Sequence, residues 1–281
     1  MVKIALVTDS SCDLDPKIIK EHNIEVIPLR IIYNDREYKD GVDITAQQVY
    51  NRLNDEIPTT SMPAPKDVLN KFIELKQNGY THIIAITLSS GLSGTYNMFK
   101  LVSKEIPDIV IDVIDSKTLS MVLGFIVMEA ARLIKNNTPY KEVIDKINVI
   151  KSKAKGFFVL DTMEYLRKGG RIGLVAATIG SILNIKPIIS VNEEGKYYTF
   201  AKVRGKCQAV TKMLEPLISQ LENTKMNVAA LQGMAEAEVT TLFNKIHTFK
   251  NINMLCISSI SPALVVHTGP GLLGLAYCPI E

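Results

Sequence analysis

His82-Ile83-Ile84-Ala85-Ile86-Thr87-Leu88-Ser89-Ser90-Gly91-Leu92-Ser93-Gly94-Thr95 runs from an apolar stretch, through a turn of hydroxyls and glycines, into a helix-like segment. An apolar run of this length bounded by turn residues reads as a buried strand, and strand, turn and helix together make half of a crossover unit. A helix that starts on such a turn offers unpaired N–H groups, a partial positive charge and close backbone approach. Those features suit a carboxylate or a phosphate. Residues 89–95 contain no Lys, Arg or His. An anion held there by neutral donors alone is weakly charged, or takes the rest of its binding energy from elsewhere in the chain.

Working outward, apolar runs recur at residues 3–8, 24–33 and 109–115, separated by amphipathic stretches at 67–77 and 118–135. That rhythm predicts a parallel sheet between helices, where ligands gather at the carboxyl ends of the strands. Two more strands end in small donors, at Thr8-Asp9-Ser10-Ser11 and at Asp115-Ser116-Lys117-Thr118. After the charged run at 151–155 the texture changes. Residues 186–191 and 196–201 flank Asn192-Glu193-Glu194-Gly195, a hairpin signature, and strand-like runs at 226–231 and 254–258 alternate with helical ones at 207–221 and 235–249. The expectation is an α/β protein of two domains. Residues 1–155 form a three-layer α/β/α unit with a mostly parallel sheet carrying the cradle, and residues 156–281 form a two-layer α/β unit with a mixed sheet.

Composition narrows the function. A chain of 281 residues, 47% hydrophobic and 22% charged, can bury a full core. A net charge of +3 is too mild for a nucleic-acid partner. The apolar start at 1–9 meets Asp9 too early for a signal-peptide core, and the stretch 119–134 is interrupted by Glu129 and Arg132, so a soluble, cytoplasmic protein is expected. The four cysteines form no CxxC pair, and no metal or cofactor signature is present. Gly269-Pro270-Gly271-Leu272-Leu273-Gly274 matches GxGxxG, but too little chain follows it for a dinucleotide site, so it reads as a glycine-rich turn. Gly91-Leu92-Ser93-Gly94-Thr95 resembles a nucleophile elbow with Thr in place of the last Gly. A serine esterase or acyl hydrolase therefore competes, with Ser93 as nucleophile, His267 as base, and Asp9 or Asp115 as orienter.

Four motifs point elsewhere together: Thr60-Ser61-Met62-Pro63, the cradle Ser89 to Tyr96, Leu160-Asp161-Thr162-Met163-Glu164-Tyr165-Leu166-Arg167-Lys168-Gly169-Gly170-Arg171-Ile172, and Val266-His267-Thr268-Gly269-Pro270-Gly271. Their combination and order resemble the DegV family of bacterial fatty-acid-binding proteins. The resemblance implies a two-domain carrier, not an enzyme by itself, that holds one long-chain fatty acid with its head group near the domain junction. It further implies that the carboxylate is presented to a separate, ATP-using fatty acid kinase for acyl-phosphate formation. Thr60, Ser61, Ser93, Gly94, Thr95 and His267 would contact the head group, and Arg171 and Arg204 would dock the kinase. A transient membrane contact is compatible with this role, and a lipid sensor without a kinase is a further alternative.

The residues fit a carboxylate better than a phosphate, because hydroxyls and amides suffice for one charge. Affinity would come mainly from the tail, at ~0.8 kcal/mol per buried methylene. The run 174–183 offers small and apolar residues for that tail. The ordinary roles of these residue types, capping for Ser and Thr and helix packing for the apolar run, compete at each single position. Ala64 stands where the family usually has a second serine, and Cys207 interrupts the basic run expected after Arg204.

Overall fold

The computed structural model describes residues 2–178 and 185–280. The first half contains β1 (Ile4–Asp9), α1 (Pro16–Glu21), β2 (Ile24–Ile27), β3 (Arg30–Ile32), β4 (Glu37–Lys39), α2 (Ala46–Arg52) and β5 (Thr59–Ser61). It continues with α3 (Pro65–Gln77), β6 (His82–Thr87), α4 (Thr95–Ser103), β7 (Val110–Asp115), α5 (Ser120–Lys135) and α6 (Tyr140–Lys153). The second half contains β8 (Lys155–Val159), α7 (Glu164–Lys168), β9 (Ile185–Val191), β10 (Tyr197–Arg204), α8 (Gly205–Leu221), β11 (Met226–Gly233), α9 (Glu236–His247), β12 (Ile252–Ser259), α10 (Pro262–Thr268) and β13 (Leu272–Pro279).

The mixed α/β class and the parallel first sheet are as the sequence predicts. That sheet has the order β2-β1-β6-β7 with every pair parallel. Its strand order reverses between β1 and β6, so the carboxyl ends of those two strands flank the crevice where such sheets bind ligands. The expected strand over 24–33 is instead two. Pro28 cannot donate to a ladder, and the next N–H, that of Leu29, turns away to Ser10 Oγ at 2.9 Å. The remainder, β3, joins a small antiparallel sheet β4-β3-β5 that carries Thr60.

The second sheet is mixed, in the order β10-β9-β8-β13-β11-β12. The Asn192–Gly195 turn closes the predicted hairpin, with Gly195 N donating to Asn192 O at 2.9 Å. Strand β13 was not anticipated. Only Gly269–Gly271 form the turn, and the buried run after it is a strand in the middle of the sheet, between β8 and β11. One face of this sheet packs against α8 and α9; the other receives α5 and α6 from the first half.

Helix α5 is the stretch that looked lipid-like in sequence. It touches β1 and β6 on one side and β11 and β13 on the other, and buries most of its circumference. A helix apolar all round belongs inside a protein of this size, and here it sits between the two sheets. Its Glu129 is buried and paired with Arg132 at 2.5 Å. Among the described residues no helix is long and apolar enough to cross a membrane.

Candidate functional site

The cradle is tied into both sheets before any ligand arrives. Leu88 N donates to Asp9 Oδ2 at 2.8 Å, joining the ends of β1 and β6, while Asp9 Oδ1 accepts from Ser11 N and Ser11 Oγ. Full burial pushes the Asp9 carboxyl above its ordinary range, against the pull of those donors. Ser89 N donates to Thr118 O at 2.8 Å, and Ser89 Oγ donates to Gly195 O at 2.7 Å, fixing the loop to the β9–β10 hairpin. Backbone approaches backbone so closely here that both contact positions must lack a side chain. A Cβ on Gly91 would lie 2.5 Å from Gly195 O, and one on Gly195, at φ +78°, would lie 1.9 Å from Ser89 Oγ.

Four hydroxyls of the loop are thus divided between two tasks. Ser89 and Ser90 build it: Ser90 N donates to Asp115 Oδ1, and Ser90 Oγ accepts from Lys117 Nζ. Ser93 lines the cavity, with its Oγ 2.9 Å from Thr95 Oγ1. Thr95 stands behind it, fully buried and outside the cavity lining. Helix α4 begins after Gly94; Thr95 N donates to Ser93 Oγ at 3.3 Å, and no side chain caps the next N–H groups of the first turn.

Opposite the cradle, β5 and α10 supply the second wall. Thr60 Oγ1 meets His267 Nε2 at 2.7 Å. Burial, reinforced by the nearby Arg171 charge, pulls the imidazole down to about 4, so His267 is neutral at physiological pH. Its Nδ1 is buried without a hydrogen-bond partner. Helix α10 is held in place at its start by two carboxylates from the first half. Asp13 Oδ1 accepts from Ser261 N at 2.9 Å, and Asp40 Oδ1 accepts from Ala263 N at 2.9 Å. Burial raises both carboxyls to about 7.

Between these walls lies a cavity of about 280 Å³. Its polar part is a contiguous group. Thr60 bonds to His267, which lies within the field of Arg171, and Arg171 reaches the cradle by donating from Nε to Leu92 O at 3.4 Å. Ser61, exposed and donating to Met62 O, and Gly94 complete it. The rest is mostly apolar: Leu88, Leu92 and Val122 come from the first half, and Phe158, Val191, Tyr197, Leu231 and Leu272 from the second sheet.

Thr60, Ser61, Ser93, Gly94 and His267 are therefore brought together around one cavity. Arg171 joins them, which the cradle sequence alone did not indicate: the loop is uncharged, but the fold brings a guanidinium to its rim. Arg204 lies apart, exposed at the start of α8, with its N donating to Gln208 Oε1 at 2.9 Å. Of the run 174–183 proposed as tail lining, residues 179–183 lie outside the described residues. Val175 is buried in the core, and Leu174 is 57% exposed. The lining from β13, β11 and α5 was missed. Its only signal was the unbroken apolar texture of those segments, which any core strand or helix shares.

The hydrolase arrangement is not assembled among the described residues. His267 bonds Thr60 instead of Ser93, its Nδ1 meets no carboxylate, and Asp9 and Asp115 are engaged by the backbone of the strand ends.

Residues 3–280 match the profile of a family described as uncharacterised protein, DegV family. A DegV domain-containing protein of Clostridium perfringens is 44% identical over 276 residues, 98% of each chain, and one of Staphylococcus aureus is 32% identical over 98% of each. Among solved structures, a fatty-acid-binding DegV family protein from Thermus thermophilus superposes with a TM-score of 0.93 at 26% identity, covering 99% of this chain and 100% of that one. A stearic-acid-binding protein from Eubacterium ventriosum gives 0.88 at 27% identity, covering 99% and 98%.

Proposed function

This chain belongs to the DegV family, and we propose that it is a carrier that buries the tail of one long-chain fatty acid between its two sheets. The observation that carries the reading is the cavity itself: a small polar group of neutral donors and one arginine opening onto a mostly apolar lining. About fifteen methylenes removed from water would contribute ~12 kcal/mol before association and ordering costs, so the tail supplies affinity and the polar group sets orientation. A neutral His267 that donates from Nε2 to Thr60 leaves the Thr60 hydroxyl proton free for the carboxylate. Ser93, the N–H groups at the start of α4 and Arg171 would bind its oxygens.

The finer role we propose extends this reading. With the head group at the rim, the carboxylate is displayed to a fatty acid kinase in the cytoplasm, docked against Arg171 and Arg204; residues 1–155 supply the cradle and 156–281 most of the tail pocket. Mass spectrometry of denatured protein purified from bacteria should release a fatty acid in about equimolar amount. No released lipid together with no binding of added fatty acid would overturn the carrier. Arg204→Ala should impair acyl-phosphate formation by a cognate kinase while leaving lipid binding intact, and unimpaired formation would remove Arg204 from the docking surface.

A further inference from the structure

A second hollow, of about 230 Å³, lies between the end of α6 and the β9–β10 hairpin, and its lining has the opposite chemistry. Lys117, Lys151 and Lys155 face it together with Ser116, Ser152 and Asn192, and Glu193 is the one acidic side chain among the described lining residues. Lys117 is already neutralised, with Nζ 2.9 Å from Asp115 Oδ2. Asp115 Oδ1 also accepts from Ser90 N and Lys117 N, so its carboxylate makes no direct hydrogen bond to Lys151 or Lys155. Lys151, half-buried, donates only to the main-chain oxygen of Asp115, at 2.9 Å. Neither Lys151 nor Lys155 forms an ion pair among the described residues.

With Lys117 paired to Asp115, the lining sets two ammonium groups against the single carboxylate of Glu193, an excess of positive charge that suits an anion. Burial pulls the Lys151 amine below its ordinary value, with Asp115 opposing and Lys117 adding to that pull. The Lys ammonium is a compact point charge that suits phosphate oxygens without the planar fork of Arg. The hollow is close in size to small-ligand sites of ~300 Å³ and above, and its polar lining suits a charged group more than an apolar chain. We propose that this hollow binds a phosphate group, free or as the terminal phosphate of a nucleotide, on Lys151 and Lys155. Thr118, Gly156 and Val191 line both this hollow and the cavity between the sheets, so one layer of residues separates the two occupants. The assignment does not rest on the fatty-acid reading.

Isothermal titration of the full chain with inorganic phosphate, ATP and acetate at matched ionic strength tests it. Phosphate should bind saturably, and Lys151→Gln should weaken it about tenfold, the value of one charge-assisted hydrogen bond. Lys155→Gln, at an exposed position that does not hold the fold, should weaken it as well, whereas Lys212→Gln on α8 should not. ATP binding more tightly than phosphate identifies a nucleotide as the source, and ATP binding no more tightly identifies free phosphate. Non-saturable binding, acetate binding as well as phosphate, or indifference to both Lys151→Gln and Lys155→Gln would overturn the site.

Discussion

Thr60 and His267 are 207 residues apart in the chain and 2.7 Å apart in the fold. A pair of that separation carries no local sequence signal, so each residue was legible only through its own motif. Ser93 was readable because strand, turn and helix are contiguous and the helix start defines what its hydroxyl faces. Arg171 was not: its place at the rim depends on the loop after α7 folding back to Leu92, a contact that spacing cannot express. The same scale carries a test. Thr60→Val keeps the side chain's shape but removes the hydroxyl, so the fatty-acid dissociation constant should rise about tenfold, the worth of one hydrogen bond to a charged group. Thr60→Ser should retain most of the affinity. Displacement titration with a fluorescent fatty acid measures both, and equal affinity for wild type and Thr60→Val would place the head group elsewhere.

Elements that repeat a strong period were predicted to within a few residues, as in β6, β7, α3 and the β9–β10 hairpin. Two failures have physical causes. Pro28 ends a strand that hydropathy alone would continue, and β13 hid behind glycines that punctuate its start without preventing pairing on both sides. The anchoring of α10 was invisible because it depends on carboxylates from remote loops, and it makes folding sensitive to pH. Asp40 releases its proton near 3.8 in the unfolded chain and near 7 in the folded one. Between those values the folded chain holds the extra proton, so this group's contribution to stability falls as pH rises from about 4 to about 7 and is level above that. His267 acts in the opposite sense but is common to both proteins in a comparison with Asp40→Asn. The variant should therefore gain on wild type across that window, by at most ~4 kcal/mol. Urea denaturation at pH 4.5, 6 and 7.5 gives the difference; a gap that stays constant with pH would show that Asp40 does not titrate as its burial dictates.

At the scale of the whole molecule the sequence predicts two α/β units, and it carries no signal of how segments from either end of the chain pack together. Segments were assigned to whichever half they follow in the chain, whereas the second sheet takes its inner cover from α5 and α6 of the first. The resemblance implies a tail buried in the second half, with the run 174–183 as its candidate lining, whereas the described lining of the cavity comes from both halves. Periodicity identifies which face of a helix is apolar, but an element apolar on every side gives no direction in which to place its neighbours.

Helix α5 also sets the mechanics of loading. Because one continuous helix is packed against both sheets, parting one sheet from the other would strip a buried face of α5 along its length. Admitting a guest molecule the way a hinged clam takes one up would carry that cost. On the carrier reading, the route in and out would be local, a parting of rim side chains, and substitutions at the mouth should change the rate of fatty-acid exchange more than substitutions along the seam.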